Sequence, residues 1–258
     1  MERVLAAHGG DHPGRGYAMG CHAFALEETG AYAKAEAAGL AAISAAPDDA
    51  WGLHAVAHVH DMTGRSAEGI ALIEGNRAVW EGANNFRYHV WWHKALLHLD
   101  RGEAAEALAL YDAKIRAEKT DDYRDIANAT SLLMRLELEG HAVGPRWEEL
   151  AGLAESRVDD GSLVFADLHY LLALIGGDRG VAQEQLITRL AAQARQTDAL
   201  ATVCNDPGLS AVSGLAAFGA ARCSGDSTPS QSFPASPRIA AAVSGPASAK
   251  RAVAATRP

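Results

Sequence analysis

Apolar residues recur along this chain in blocks of helix length, each closed by a glycine. Segments 19–26, 51–62, 91–99, 126–138 and 163–175 carry apolar side chains at three- and four-residue spacing, the period of one face of an α-helix. They are followed by Gly30, Gly64, Gly102, Gly140 and Gly177. Further apolar blocks come after the glycines, for instance 104–115 and 181–194. Val, Ile and Thr are too sparse for a large sheet. The pattern predicts an all-α fold of antiparallel helix pairs, with glycine at each reversal because it tolerates the left-handed backbone a tight turn requires.

The reversals are periodic. The five glycines are separated by 34, 38, 38 and 37 residues. Around the first, Gly30, Tyr32, Ala35, Ala42 and Pro47 follow the tetratricopeptide pattern: turn glycine, aromatic, two small residues where helices approach closely, and a proline that ends the second helix. The expected architecture is therefore an α-solenoid of about five tetratricopeptide-like helix-turn-helix repeats. Placing each turn glycine at position 15 of its repeat assigns faces. The inward set of repeat two is Leu53, Val56, Ala57 and His60; of repeat three, Trp91, Lys94, Ala95 and His98; of repeat four, Ala129, Leu132, Leu133 and Leu136. His22 also falls inward.

Composition adds boundaries. With 48% hydrophobic and 21% charged residues in 258, the chain is globular in composition. Its net charge of −9 disfavours nucleic acid and anionic lipid as partners. No apolar run reaches the ~20 residues of a membrane span, and Met1-Glu2-Arg3-Val4-Leu5 does not open a secretory leader. Three distant cysteines, Cys21, Cys204 and Cys223, suit a reducing cytoplasm rather than a disulfide framework. From Arg222 onward there are five basic residues, one acid and five of the nine prolines. That composition predicts a disordered Ser/Pro/Ala-rich tail over 222–258, behind a repeat domain at 16–221 and an N-terminal extension at 1–15.

The chemistry concentrates on one predicted face. Trp51, His54, His58 and Asp61 occupy groove positions of repeat two, and His54, His58 and Asp61 fall within about 60° of one another around the helix. His89, Trp92 and His93 edge the groove in repeat three; Tyr17, Phe24 and Glu27, with Glu28 beside, do so in repeat one. Two i, i+4 histidine pairs on neighbouring helices are a ligand pattern for zinc or non-haem iron, with Glu27 or Asp61 as an oxygen donor. The plainer reading, favoured from sequence, has the histidines hydrogen-bonded across the groove with no cofactor. His60, His98 and His22 read as core histidines with satisfied hydrogen bonds; His8 and His12 as solvated; Cys21 as a small buried hydrophobe; Trp91 as core; Trp147 as groove or packing. No Gly-x-Ser-x-Gly elbow, phosphate loop or His-Glu-x-x-His helix is present.

Several of these segments resemble a named family. Phe24-Ala25-Leu26-Glu27-Glu28-Thr29-Gly30, Pro47-Asp48-Asp49-Ala50-Trp51, His54-Ala55-Val56-Ala57-His58-Val59, His89-Val90-Trp91-Trp92-His93, Ser131 to Leu136 and Val143-Gly144-Pro145-Arg146-Trp147 are similar to the tetratricopeptide repeat protein 38 family. The likeness spans roughly residues 1–221 and implies a cytosolic solenoid, with no settled reaction. It also implies further helices before this chain's start and a departure after residue 221. Two functions are expected on these grounds. One is binding of a peptide, protein or other extended ligand in the concave groove. The other is a metal-dependent or acid–base enzyme acting on a small molecule at the same His/Trp/acid cluster.

Overall fold

A computed structural model describes residues 1–7 and 9–223; His8 and nearly all of the predicted tail lie outside them. Every regular element among the described residues is helical, and none of these helices is long and apolar enough to cross a membrane. The chain divides into two compact units, Met1–Ala117 and Glu118–Pro258.

In the first unit, α1 (Glu2–Ala7), α2 (Arg15–Glu28) and α3 (Tyr32–Ala45) precede the pair α4 (Ala50–Met62) and α5 (Ser66–Gly75). A short α6 (Arg77–Trp80) leads to α7 (Phe86–Asp100) and α8 (Ala104–Leu110), which ends in a π-helical turn, Tyr111–Ile115. α2 packs on α3 and α4, α3 on α4, and α7 on α4, α5 and α8. In the second unit, α9 (Tyr123–Leu138) and α10 (Arg146–Glu155) both pack on α11 (Val164–Gly176). α12 (Gly180–Gln193) and α14 (Leu209–Cys223) also pack on α11, with α13 (Ala199–Val203) between them in sequence.

The five reversals are built alike. Gly30, Gly64, Gly102 and Gly140 have φ of 78°, 73°, 76° and 86°. The amide after each turn residue donates to a carbonyl five positions back: Ala31 to Leu26, Arg65 to His60, Glu103 to His98, His141 to Leu136 and Arg179 to Leu174, at 2.8–2.9 Å. This is the Schellman closure, which satisfies otherwise orphaned helix-end carbonyls. The fifth turn departs by one residue from the predicted position. Asp178, not Gly177, is left-handed, with φ 61°. Gly177 has φ −95°; a Cβ there would lie 2.3 Å from the Ala151 Cβ, so its absence lets α10 approach α11. The left-handed positions are thus spaced 34, 38, 38 and 38 residues apart.

The inward sets bury as the register predicts in repeats two and four. Leu53, Val56, Ala57 and His60, like Ala129, Leu132, Leu133 and Leu136, are buried. In repeat three Trp91 and Ala95 are buried, whereas Lys94 and His98 are half-exposed. Lys94 lies over the Trp91 ring at 5.3 Å and pairs with Glu74. His98 Nδ1 contacts Glu103 Oε2 at 2.7 Å, as expected of a satisfied histidine; His60 Nε2 contacts Glu36 Oε1 at 3.2 Å, but its Nδ1 is buried without a hydrogen-bond partner. His22 departs from that expectation, because its Nε2 is buried without a hydrogen-bond partner. Cys21 is exposed, not buried: it sits on the solvent side of α2. Trp147 is buried against Gly176, where an added Cβ would meet the indole at 2.3 Å, which settles it as packing.

Asp49 fixes the start of α4. Its carboxylate accepts from the Trp51 and Gly52 amides at 3.1 Å and sits against Gly20 of α2, whose Cβ, if present, would lie 2.1 Å from Asp49 Oδ2. One cap therefore sets both the phase of α4 and its approach to α2. Asp49→Ala is expected to lower stability by about 1 kcal/mol, measured by chemical denaturation.

In the second unit, His169 of α11 is buried and its Nδ1–H donates to the Phe165 carbonyl at 2.8 Å. Burial, more than any other influence, lowers its pKa to about 4. The unfolded chain takes up this proton near the ordinary histidine value of about 6.5, so the native state binds fewer protons in between. Stability is full above pH ~6.5 and falls as pH drops from there to about 4. Denaturation midpoints across that window should decline in the wild type and decline less steeply in His169→Gln.

Candidate metal centre

Four imidazoles from two helices meet at one point in the first unit. His54 and His58 lie one turn apart on α4; His89 and His93 lie one turn apart on α7. One ligand atom from each lies within 4.8 Å of those from the others. His54 Nε2 is 3.0 Å from His89 Nε2, 3.0 Å from His93 Nε2 and 2.9 Å from His58 Nε2, and His93 Nε2 is 3.0 Å from His89 Nε2. The two predicted pairs therefore share a centre.

The N···N contacts are too many for hydrogen bonds alone. A neutral imidazole Nε2 carries either one proton or one lone pair, so His54 Nε2 can complete at most one of its three contacts. The other two contacts would be left without a hydrogen bond of their own. A single cation satisfies all four nitrogens at once. Imidazole–metal bonds of 2.0–2.1 Å place nitrogens about 2.9 Å apart at right angles and about 3.3 Å apart along a tetrahedral edge. The observed spacing lies at that scale. A square-planar set is ruled out, because it would hold one nitrogen about 4 Å from His54 Nε2, whereas all three neighbours lie within 3.0 Å.

The surroundings are aromatic. The Phe24 ring stacks on His54 with centroids 5.6 Å apart. Trp51 lies 4.8 Å and Phe86 5.3 Å from the same imidazole, and Trp92 stacks on His89 at 5.3 Å with 14° between planes. His54 and His93 are 2% and 4% exposed; His58 and His89 are half-buried. The centre therefore has a buried side and an accessible edge, with Trp51 at 36% exposure beside it. Burial first, and the neighbouring imidazoles of His58 and His89 second, hold His54 well below the ordinary histidine range. It is neutral at pH 7, the form that ligates.

The acids occupy other places than predicted. Asp61 shares the angular stripe of His54 and is buried, but it does not join the four-histidine group. Seven residues of α-helix displace it by about 10.5 Å along the axis, and angular alignment does not offset that rise. Glu27 Oε2 lies 3.4 Å from His58 Nδ1, on the far side of that ring from the shared centre, so it is not an oxygen ligand beside the Nε2 atoms. Tyr17 is exposed, and its hydroxyl donates to Asp48 Oδ1 at 2.8 Å, away from the cluster. Ser131, in the second unit, accepts a hydrogen bond from Arg135. His12 is exposed, as expected of a solvated histidine, with its Nδ1 accepting from the Gly14 amide.

Phe86 was not anticipated. It sits three residues before His89 and seven before His93, on the same face of α7, and its signal was that i, i+3, i+7 spacing; the apolar block beginning at residue 91 hid the helix's first turn. No family model matches the chain, and no solved structure matches it.

Proposed function

We propose that the first unit is a metal-binding helical module in which His54, His58, His89 and His93 hold one divalent d-block cation through Nε2, serving metal-dependent chemistry on a small molecule at the accessible edge. The observation that carries this reading is His54 Nε2 within 3.0 Å of three other Nε2 atoms. All-imidazole donors without square-planar geometry suit zinc or iron. His58, His89 and Trp51 form the edge a small ligand would reach, walled by Phe24 and Phe86. The competing reading, a concave groove that binds an extended peptide or protein, asks for a continuous exposed surface. His54, Asp61 and His93 are buried, which favours the metal reading over it.

We also read the helix pairs as tetratricopeptide-like and stacked as a solenoid, in keeping with the resemblance to the tetratricopeptide repeat protein 38 family. The support is the recurrence of one turn design at 34- and 38-residue intervals. A cytoplasmic location belongs to the same proposal.

Purified protein should carry one zinc or iron per chain by elemental analysis, removable by chelator. Saturation to about a hundredfold over Kd should stabilise the fold by about 2.7 kcal/mol. His54→Ala/His89→Ala should abolish both the stoichiometric metal and the stabilisation. A wild type that neither carries nor takes up a cation would refute the site.

A further inference from the structure

Glu27 is placed at odds with three ordinary preferences. It is 2% exposed, although an ionised carboxylate is costly to bury without a partner. It lies in the last turn of α2, which contains no basic residue, so the negative end of the helix dipole opposes it. Its Oε2 is buried without a hydrogen-bond partner. All three costs are relieved by positive charge arriving on one side, and the side that Oε2 faces is His58 Nδ1, at 3.4 Å.

We infer that Glu27 is the positioning residue of the metal centre: it takes the Nδ1–H of His58 once His58 Nε2 is bound to the cation. The inference rests on the proposed four-histidine site. A ring that ligates through Nε2 must carry its proton on Nδ1. Coordination draws electron density from the ring and makes that N–H a stronger donor. The carboxylate then fixes the tautomer, holds the ring's orientation and returns basicity to Nε2, as acids behind metal-bound histidines do. Glu27 also supplies a negative charge to a centre whose four ligands are all neutral. His54 differs, since its Nδ1 is buried without a hydrogen-bond partner and its orientation rests on the Phe24, Trp51 and Phe86 rings. The carboxylate therefore acts at the half-buried member of the α4 pair, the ring with most room to turn.

The test compares wild type, Glu27→Gln, Glu27→Ala and, as a control, Glu28→Gln. Affinity for Zn²⁺ is measured by chelator competition, Co²⁺ absorption reports ligand geometry, and metal per chain is counted. Glu27→Ala should weaken Zn²⁺ binding tenfold to a hundredfold with one ion per chain retained. Glu27→Gln, whose amide oxygen still accepts from Nδ1–H, should lose less and keep the wild-type Co²⁺ spectrum. Glu28→Gln, on an exposed side chain, should stay within twofold. In metal-loaded protein the ¹⁵N-coupled Nδ1–H resonance of His58 should be protected in wild type and lost to exchange in Glu27→Ala, a signature that a merely structural residue would not move. If Glu27→Ala fails to fold, Glu27→Gln with the His58 resonance decides the question. Zn²⁺ affinity within twofold of wild type in both Glu27 variants overturns the inference. Two ions per chain in wild type and one in Glu27→Gln also overturn it, by making Glu27 a ligand of a second cation shared with Glu28 and His58. A wild type that binds no cation overturns the four-histidine site itself, a result separable from any of these.

Discussion

A ring nitrogen offers one lone pair or one proton, and His54 Nε2 faces three other ring nitrogens at 2.9–3.0 Å. The arrangement around α4 and α7 answers to that constraint. If the nitrogens shared protons, the spacing would be frustrated; if they share a cation, each lone pair has the same target. Burial holds His54 well below the ordinary histidine range, which leaves its Nε2 lone pair open to a shared cation. The aromatic rings around the cluster add to this by excluding water, which strengthens any interaction between the nitrogens and a cation.

The turns and caps bring the imidazoles together. Each helix pair closes with one left-handed residue, glycine in four reversals and Asp178 in the fifth, and the same backward amide bond, which fixes where the following helix begins. Asp49 then sets the phase of α4 by capping its first amides, and glycines at 20 and 52 let α2 and α4 come close. A helix whose phase is fixed to within a fraction of a turn can present residues four apart to a neighbour reliably. The chemistry of the centre thus depends on backbone decisions made well away from it.

Most of the helices and turns could be read from the residues, because glycine punctuation and helix period are local signals. The histidine pairs were legible for the same reason. Illegible were features that depend on axial position and packing. Asp61 aligns with His54 in angle but not in height along the axis. Gly177 reads as the turn residue by type, while Asp178 takes the turn and the glycine serves a close approach to Ala151. Phe86 belongs to a helical turn that precedes the apolar block. Glu27 was visible as an acid near the cluster, but only coordinates show it behind His58 rather than beside the shared nitrogens.

Charge explains why that position matters. On the proposed reading, four neutral imidazoles would leave a divalent ion with its full charge in surroundings made largely of aromatic rings, and uncompensated charge in such a place is expensive. A carboxylate directly ligating would relieve this but would occupy a coordination position. A carboxylate one ring away would relieve part of it through His58 without occupying a coordination position. Glu27 on the Nδ1 side of His58, together with His58 and His89 at the half-buried edge, fits that second arrangement. The proposed chemistry on a small molecule requires such an edge.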